Sequence, residues 1–160
     1  MYELPAFSTA VNVPDDMRFS KDSFTLSEAD REIIDYIMLP EGLIKSRTEA
    51  LAQEIVASWR QQGLTEVHVL VIMNGAFHFY SHLMEGLNRL VIQTEPRIYM
   101  IPQFVKLSSY VNTQSTGEVK IGHVNEIAGK HVLVVEDMYS TGRSMMQLLK
   151  ALNAMGASKV

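Results

Sequence analysis

The residues best suited to chemistry lie in one run, Val132 to Ser144, which reads Val-Leu-Val-Val-Glu-Asp-Met-Tyr-Ser-Thr-Gly-Arg-Ser. An apolar strand pattern leads into two adjacent carboxylates, then a turn carrying hydroxyls and a glycine, then a helix pattern. Backbone N–H groups that open a helix have no partner inside it and carry partial positive charge, so they hold a phosphate. Thr141 and Ser144 add hydroxyl donors, and Gly142 lets the backbone approach a ligand closely. Glu136 and Asp137 repel a phosphate, but they accept hydrogen bonds from ribose hydroxyls or hold the water shell of Mg²⁺. Anion donors on one side and diol acceptors on the other suit a sugar phosphate. Any one of these features alone more often ends a strand or caps a helix; it is the combination that is specific.

The elements needed to position this run can be read from hydrophobic periodicity. Residues 1–24 hold Pro5 and Pro14 and few periodic apolars, and read as a loosely structured leader; the domain proper is read as 25–160. Thr25-Leu26-Ser27-Glu28 has the form of a capping box opening a short helix to about Ile37. Leu39-Pro40-Glu41-Gly42 reads as a break, and a longer helix is expected from Ser46 to Gln62, with Leu51, Ile55 and Trp59 on one face and Gly63 as its stop. Val67 to Met73 is a continuous β-branched run, the pattern of a strand buried on both faces. Phe79, Leu83 and Leu87 mark a helix face. Arg97 to Leu107 reads as a second strand, bulged or near an edge because of Pro102. Ser108 to Glu118 is polar and reads as a long loop. His131 to Val135 is a third strand, and Gly142 to Met155 a helix with Met145, Leu148, Leu149, Leu152 and Met155 inward. Strands alternating with helices predict an α/β fold with a parallel sheet. Ligands of such sheets sit beyond the C-terminal strand ends, where the Glu136–Ser144 run falls.

Composition narrows the function classes. The chain has 160 residues, 47% hydrophobic and 20% charged, ordinary for a globular domain. It has no cysteine, which excludes a disulfide scaffold, a thiolate zinc site and a cysteine nucleophile. A formal net charge of -4, with its lysines scattered, gives no footprint for nucleic acid. The N-terminus lacks the basic and apolar regions of a signal peptide, and no apolar run is long enough for a bilayer, so no membrane partner and a cytoplasmic setting are expected. His78 and His82 stand four apart on a predicted helix, but no third ligand accompanies them.

The Val132–Ser144 run resembles the phosphoribosyl-pyrophosphate (PRPP) motif of type I phosphoribosyltransferases. The wider chain is similar to the hypoxanthine-guanine branch over most of residues 36–160. Leu39 to Glu49 resembles that branch's N-terminal segment. Met73-Asn74-Gly75-Ala76-Phe77 sits where it has its first phosphate-side loop. Phe104 to Tyr110 and Asn112 to Gly117 resemble its mobile catalytic loop. The resemblance implies a parallel-sheet, Rossmann-like core and a reaction in which a purine nitrogen displaces pyrophosphate from Mg²⁺-bound PRPP. By position, Glu136 and Asp137 would bind the ribose diol and the metal. Ser140, Thr141, Gly142, Arg143 and Ser144 would cradle the 5′-phosphate, with Asn74 and Gly75 on the pyrophosphate side. Met138 would pack on the purine, and Ser109 and Tyr110 would close the lid. A dimer or tetramer of the chain is implied as well.

Three departures from the family pattern stand at ligand positions. Ser140 replaces the aspartate expected as general base, and a serine is neutral near pH 7. Asn74 replaces a lysine, and Ala76 a glycine. They imply reduced activity in purine salvage, or alternatively a non-catalytic paralogue that binds PRPP or nucleotide and acts by regulation or mixed assembly; Tyr139 or a lid residue could compensate. Ser158-Lys159-Val160 reads as the first step of a further parallel strand. The family's chain continues there into most of its purine-recognising hood, so the resemblance implies a truncated form with the hood incomplete.

Overall fold

The computed structural model describes residues 12–111, 114–122, 124 and 126–160; of residues 108–111 and 114–121 it describes the backbone alone. The chain divides into two compact units, Met1–Leu51 and Ala52–Val160.

In the first unit, β1 (Phe19–Ser20) pairs antiparallel with β2 (Tyr36–Ile37), and α1 (Glu28–Ile33) lies between them in sequence. The cap of α1 is Ser27, not Thr25. Its hydroxyl accepts from the Asp30 N–H at 3.1 Å and donates to the Asp30 carboxylate at 2.7 Å. The helix stops four residues before the expected Ile37, because Tyr36 and Ile37 are taken by the pairing with β1.

α2 (Glu41–Gln61) begins five residues earlier than expected from periodicity. Pro40 starts it rather than breaking the chain: its carbonyl accepts from the Leu43 and Ile44 N–H groups. A proline at a helix start loses no hydrogen bond, since that N–H has no partner there anyway. Ile55 and Trp59 are buried as expected, and Gly63, at φ 66, ends the helix in the left-handed conformation that glycine adopts readily.

The second unit is built on a four-stranded sheet of order β5-β4-β3-β6. The central strand β3 (Glu66–Met73) pairs parallel with β4 (Tyr99–Val111) on one side and with β6 (Val132–Val135) on the other. β5 (Gln114–Ile121) pairs antiparallel with the end of β4, with a register shift between Ser108 and Tyr110. The expected loop from Ser108 to Glu118 is therefore largely a hairpin. Its backbone bonds need no apolar face, so the polar sequence hid it, although Tyr, Val and Thr are good strand formers. Pro102 lies on the stretch of β4 before β5 begins, where its missing N–H costs no ladder bond.

α3 (Phe77–Val91) follows β3, and α4 (Arg143–Ala154) follows β6. Leu70 and Ile72 of β3, Val105 of β4 and Val132 of β6 form one buried cluster with Leu148 and Leu152 of α4 and with Ile127. Val67, Val69 and Val71, of opposite parity on β3, are buried too, so both sheet faces are covered, as a parallel sheet requires. Met155, expected on the inner face of α4, is 42% exposed: the helix has ended at Ala154, and Gly156 at φ 83 turns the chain back. Met146, on the same helix, is exposed as well. The returning chain pairs parallel beyond β6: the Val132 N–H donates to the Lys159 carbonyl and the Ser158 N–H to that of Lys130, both at 2.8 Å.

A polar ladder pins the start of the sheet. Lys130 Nζ lies 2.8 Å from Glu66 Oε1, and this pairing lowers the Glu66 pKa and raises that of Lys130. His68 is buried between Glu66, at 3.4 Å, and Gln103 of β4, 2.9 Å from its Nδ1.

Leu148 is fully buried in the cluster that holds α4 to the sheet. Leu148→Ala is expected to destabilise the folded chain by about 2–5 kcal/mol, read from the urea midpoint at constant m-value. A loss under about 1 kcal/mol would show that this face collapses freely around the deletion.

Candidate functional site

Two loops leave the C-terminal ends of neighbouring parallel strands. The register pairs Val71 with Val135, so β3 has two residues left before its loop and β6 none. Asn74, Gly75 and Ala76 form the turn after β3, and Glu136 and Asp137 follow β6 directly. The adjacency brings the two loops into contact. A Cβ built on Gly75 would lie 2.5 and 2.7 Å from the Asp137 carboxylate oxygens. Gly75 is thus a close-approach position: the carboxylate rests against bare backbone where any side chain would displace it.

Glu136 is half-buried, and the Asp137 N–H donates to its Oε1 at 3.3 Å. Burial and the neighbouring Asp137 carboxyl push its pKa up to about 7. Two carboxyls side by side resist holding two charges, and a bound cation or a pair of hydroxyl donors would relieve this. Among the described residues, no group of three or more His, Asp or Glu side chains converges to hold a metal. Two carboxylates nevertheless suit Mg²⁺, which usually joins one or two of them with waters and substrate phosphates rather than filling an all-protein cage.

Beyond the carboxylates the chain turns through Met138, Tyr139, Ser140 and Thr141 into α4. Gly142 is the N-cap, at φ 73, and has no side chain with which to cap the helix. The first helical bond runs from the Met146 N–H to the Gly142 carbonyl at 2.8 Å, which leaves the preceding amides without helix acceptors. An open cleft of about 120 Å³ is lined by Glu136, by Met138 to Met145 and by Leu107. Met138 and Tyr139 line it and are 75% and 62% exposed, so neither is spent on the core.

The structure thus brings together Glu136, Met138, Ser140, Thr141, Gly142, Arg143 and Ser144 in one cleft, with Asp137 and Gly75 touching beside it. Asn74 lies in the same turn as Gly75 but does not line the cleft. Ser109 and Tyr110 belong to the backbone of β4, and their side chains lie outside the described residues. Leu107 and Met145 were not singled out from the sequence as site residues. Leu107 could have been found by the rule that ligands sit at C-terminal strand ends. The Asp137–Gly75 contact spans two loops far apart in sequence, and strand order alone announces it.

Residues 40–160 match the family described as Phosphoribosyl transferase domain. The chain is 31% identical over 150 residues to the hypoxanthine-guanine phosphoribosyltransferase of Mus musculus, covering 91% of this chain and 67% of that protein. It is 32% identical over 145 residues to the Schistosoma mansoni protein of the same name, covering 89% of this chain and 51% of that one. It is also 32% identical over 151 residues to phosphoribosyltransferase domain-containing protein 1 of Homo sapiens, covering 92% and 66%. Among solved structures, the Schistosoma mansoni hypoxanthine-guanine phosphoribosyltransferase in complex with IMP superimposes with a TM-score of 0.73 at 28% identity, over 92% of this chain and 68% of that one. The chain spans between about half and two thirds of the length of these curated relatives. With the strand–turn–helix in place and the family match running from Pro40 to Val160, the chain belongs to the type I phosphoribosyltransferase family, in its hypoxanthine-guanine branch.

Proposed function

We propose that this chain binds PRPP with Mg²⁺ and transfers its phosphoribosyl group to a purine base, hypoxanthine or guanine, in nucleotide salvage, with reduced activity. The observation that carries the reading is the meeting of Asp137 with Gly75 beside a cleft that opens onto the start of α4. Sugar hydroxyls would be received by Glu136 and Asp137, and the 5′-phosphate by the amides and hydroxyls from Ser140 to Ser144. The pyrophosphate would lie toward Asn74 and Gly75, and Met138 would cover the purine. A cytoplasmic homo-oligomer, dimer or tetramer, completes the reading and rests on the family resemblance.

In the transfer, a purine ring nitrogen forms a bond to C1 of the ribose while the bond from C1 to the pyrophosphate oxygen breaks. Positive character develops on the sugar and negative charge on the leaving group, so positioning and charge neutralisation carry most of the catalysis. Glu136 and Asp137 would hold Mg²⁺, which when bound supplies charge neutralisation for the pyrophosphate. Ser109 and Tyr110 would close over the site and exclude water. The proton released by the base has no carboxylate at position 140 to receive it.

That last point supports a second reading, a non-catalytic paralogue that binds PRPP or nucleotide and acts by regulation or mixed assembly. Nucleotide formation from PRPP and hypoxanthine or guanine, measured with PRPP binding, separates the two. The protein is expected to bind PRPP and turn over slowly, with Ser140→Asp raising turnover by roughly 10²–10⁴-fold, the range of a general base. Binding without turnover in both forms would sink the enzyme reading; fast turnover in the unaltered protein would sink the paralogue and the role given to position 140.

The loop contact makes its own prediction. Gly75→Ala places a methyl against the Asp137 carboxylate and shifts it off the sugar side. PRPP affinity, read by calorimetry with Mg²⁺ present, is expected to fall by roughly tenfold, the size of one hydrogen bond to a charged group. Unchanged affinity would place Asp137 outside the PRPP contact.

A further inference from the structure

Tyr139 is given no part in the proposed transfer, yet it lines the cleft. Its side chain is 62% exposed, so it is not held there by core packing. It leans on the first turn of α4. A Cβ built on Gly142 would clash with the phenol oxygen and lie 2.7 Å from Cζ, so the hydroxyl rests close over the bare α-carbon of the helix N-cap. Glycine is needed at 142 twice over: for its φ of 73, and because any side chain would evict the tyrosine.

The place where that hydroxyl rests matters. Gly142 marks the turn whose amides have no helix acceptors, and as N-cap it has no side chain to offer them. Thr141 and Ser144 bring hydroxyls to the same cleft. A phenol O–H can donate, and a dianionic phosphate drawn to these amides would meet it. Such a bond is charge-assisted and stronger than one to a neutral acceptor.

We propose that Tyr139 is a phosphate-binding residue: its hydroxyl, parked on Gly142, donates to the 5′-phosphate of the bound sugar phosphate. The proposal rests on the reading of this cleft as a PRPP and nucleotide site. It gives the loop a donor on the phosphate side, next to the position where Ser140 has removed a carboxylate, and it ties Gly142 and Tyr139 into one unit.

The test is IMP binding to the whole chain by calorimetry, for the unaltered protein, Tyr139→Phe and Tyr139→Leu, with thermal midpoints measured without ligand. Both variants are expected to weaken IMP by roughly tenfold, the size of one hydrogen bond to a charged group, with the midpoint of Tyr139→Phe unchanged. If Tyr139→Phe binds as the unaltered protein does and only Tyr139→Leu is weak, the ring packs and the hydroxyl donates nothing, and the proposal is overturned. If Tyr139→Leu binds more tightly, the side chain is a cover that the phosphate must displace, which overturns it as well. An unaltered protein that binds neither IMP nor PRPP would bring down the functional reading itself; one that binds them with no change in Tyr139→Phe brings down this inference alone.

Discussion

The parallel pairing of β3 with β6 is the constraint on which everything else in the site depends. Parallel neighbours point the same way, so their loops emerge at the same end of the sheet. The Val71–Val135 register then sets the two loops within contact of each other. One contributes Gly75 and the other Asp137, and neither has a use alone. A shift of one residue would turn Val132 and Val134 away from Leu148 and Leu152, so the packing that holds α4 also fixes the register. The same α4 presents its N-terminus to the cleft. Core and site are therefore not separable here: the apolar parity of a four-residue strand decides which carboxylate reaches which loop.

The sequence was most legible where one physical signal dominates. β3 is a run of β-branched residues buried on both faces, and its pattern admits little else. α4 shows its period through Leu148 and Leu152, and its expected ends were off by one residue at each side. Legibility failed where the deciding interaction is between backbones or far apart in the chain. The β4–β5 hairpin is held by main-chain bonds that polar side chains neither advertise nor oppose. Pro40 and Gly42 look like punctuation, yet the Pro40 carbonyl opens a 21-residue helix. Met155 fits the period of α4 but falls one residue beyond it, and the period cannot say where the last turn ends.

The site divides in the same way. Glu136 to Ser144 could be named from the sequence because their chemistry is local: a strand end, a turn and a helix start are consecutive. The contact between Asp137 and Gly75 was not visible, because it depends on which strands are neighbours. Tyr139 was named from the sequence only as a residue that could compensate for the missing base, not as a phosphate donor. Only the left-handed turn at Gly142 shows that its hydroxyl comes to lie over the start of α4.

The charge balance of the two loops bears on how this chain differs from the family it belongs to. In the family pattern the first loop carries a lysine and the second an aspartate as the base. Here Asn74 removes the positive charge and Ser140 the negative one, so the formal charge of the paired loops is unchanged. The remaining carboxyls, Glu136 and Asp137, are adjacent, and burial together with the Asp137 carboxyl raises the Glu136 pKa. Deleting the lysine alone would have left the loops one charge more negative, opposing a polyphosphate; deleting the aspartate alone would have left them one charge more positive. On the proposed reading, with both gone the field that a magnesium-complexed phosphate ester would meet is little changed, while position 140 offers no carboxylate to take a proton. The two substitutions offset each other in the field around the strand ends but not in proton transfer, where a neutral serine does not stand in for a carboxylate.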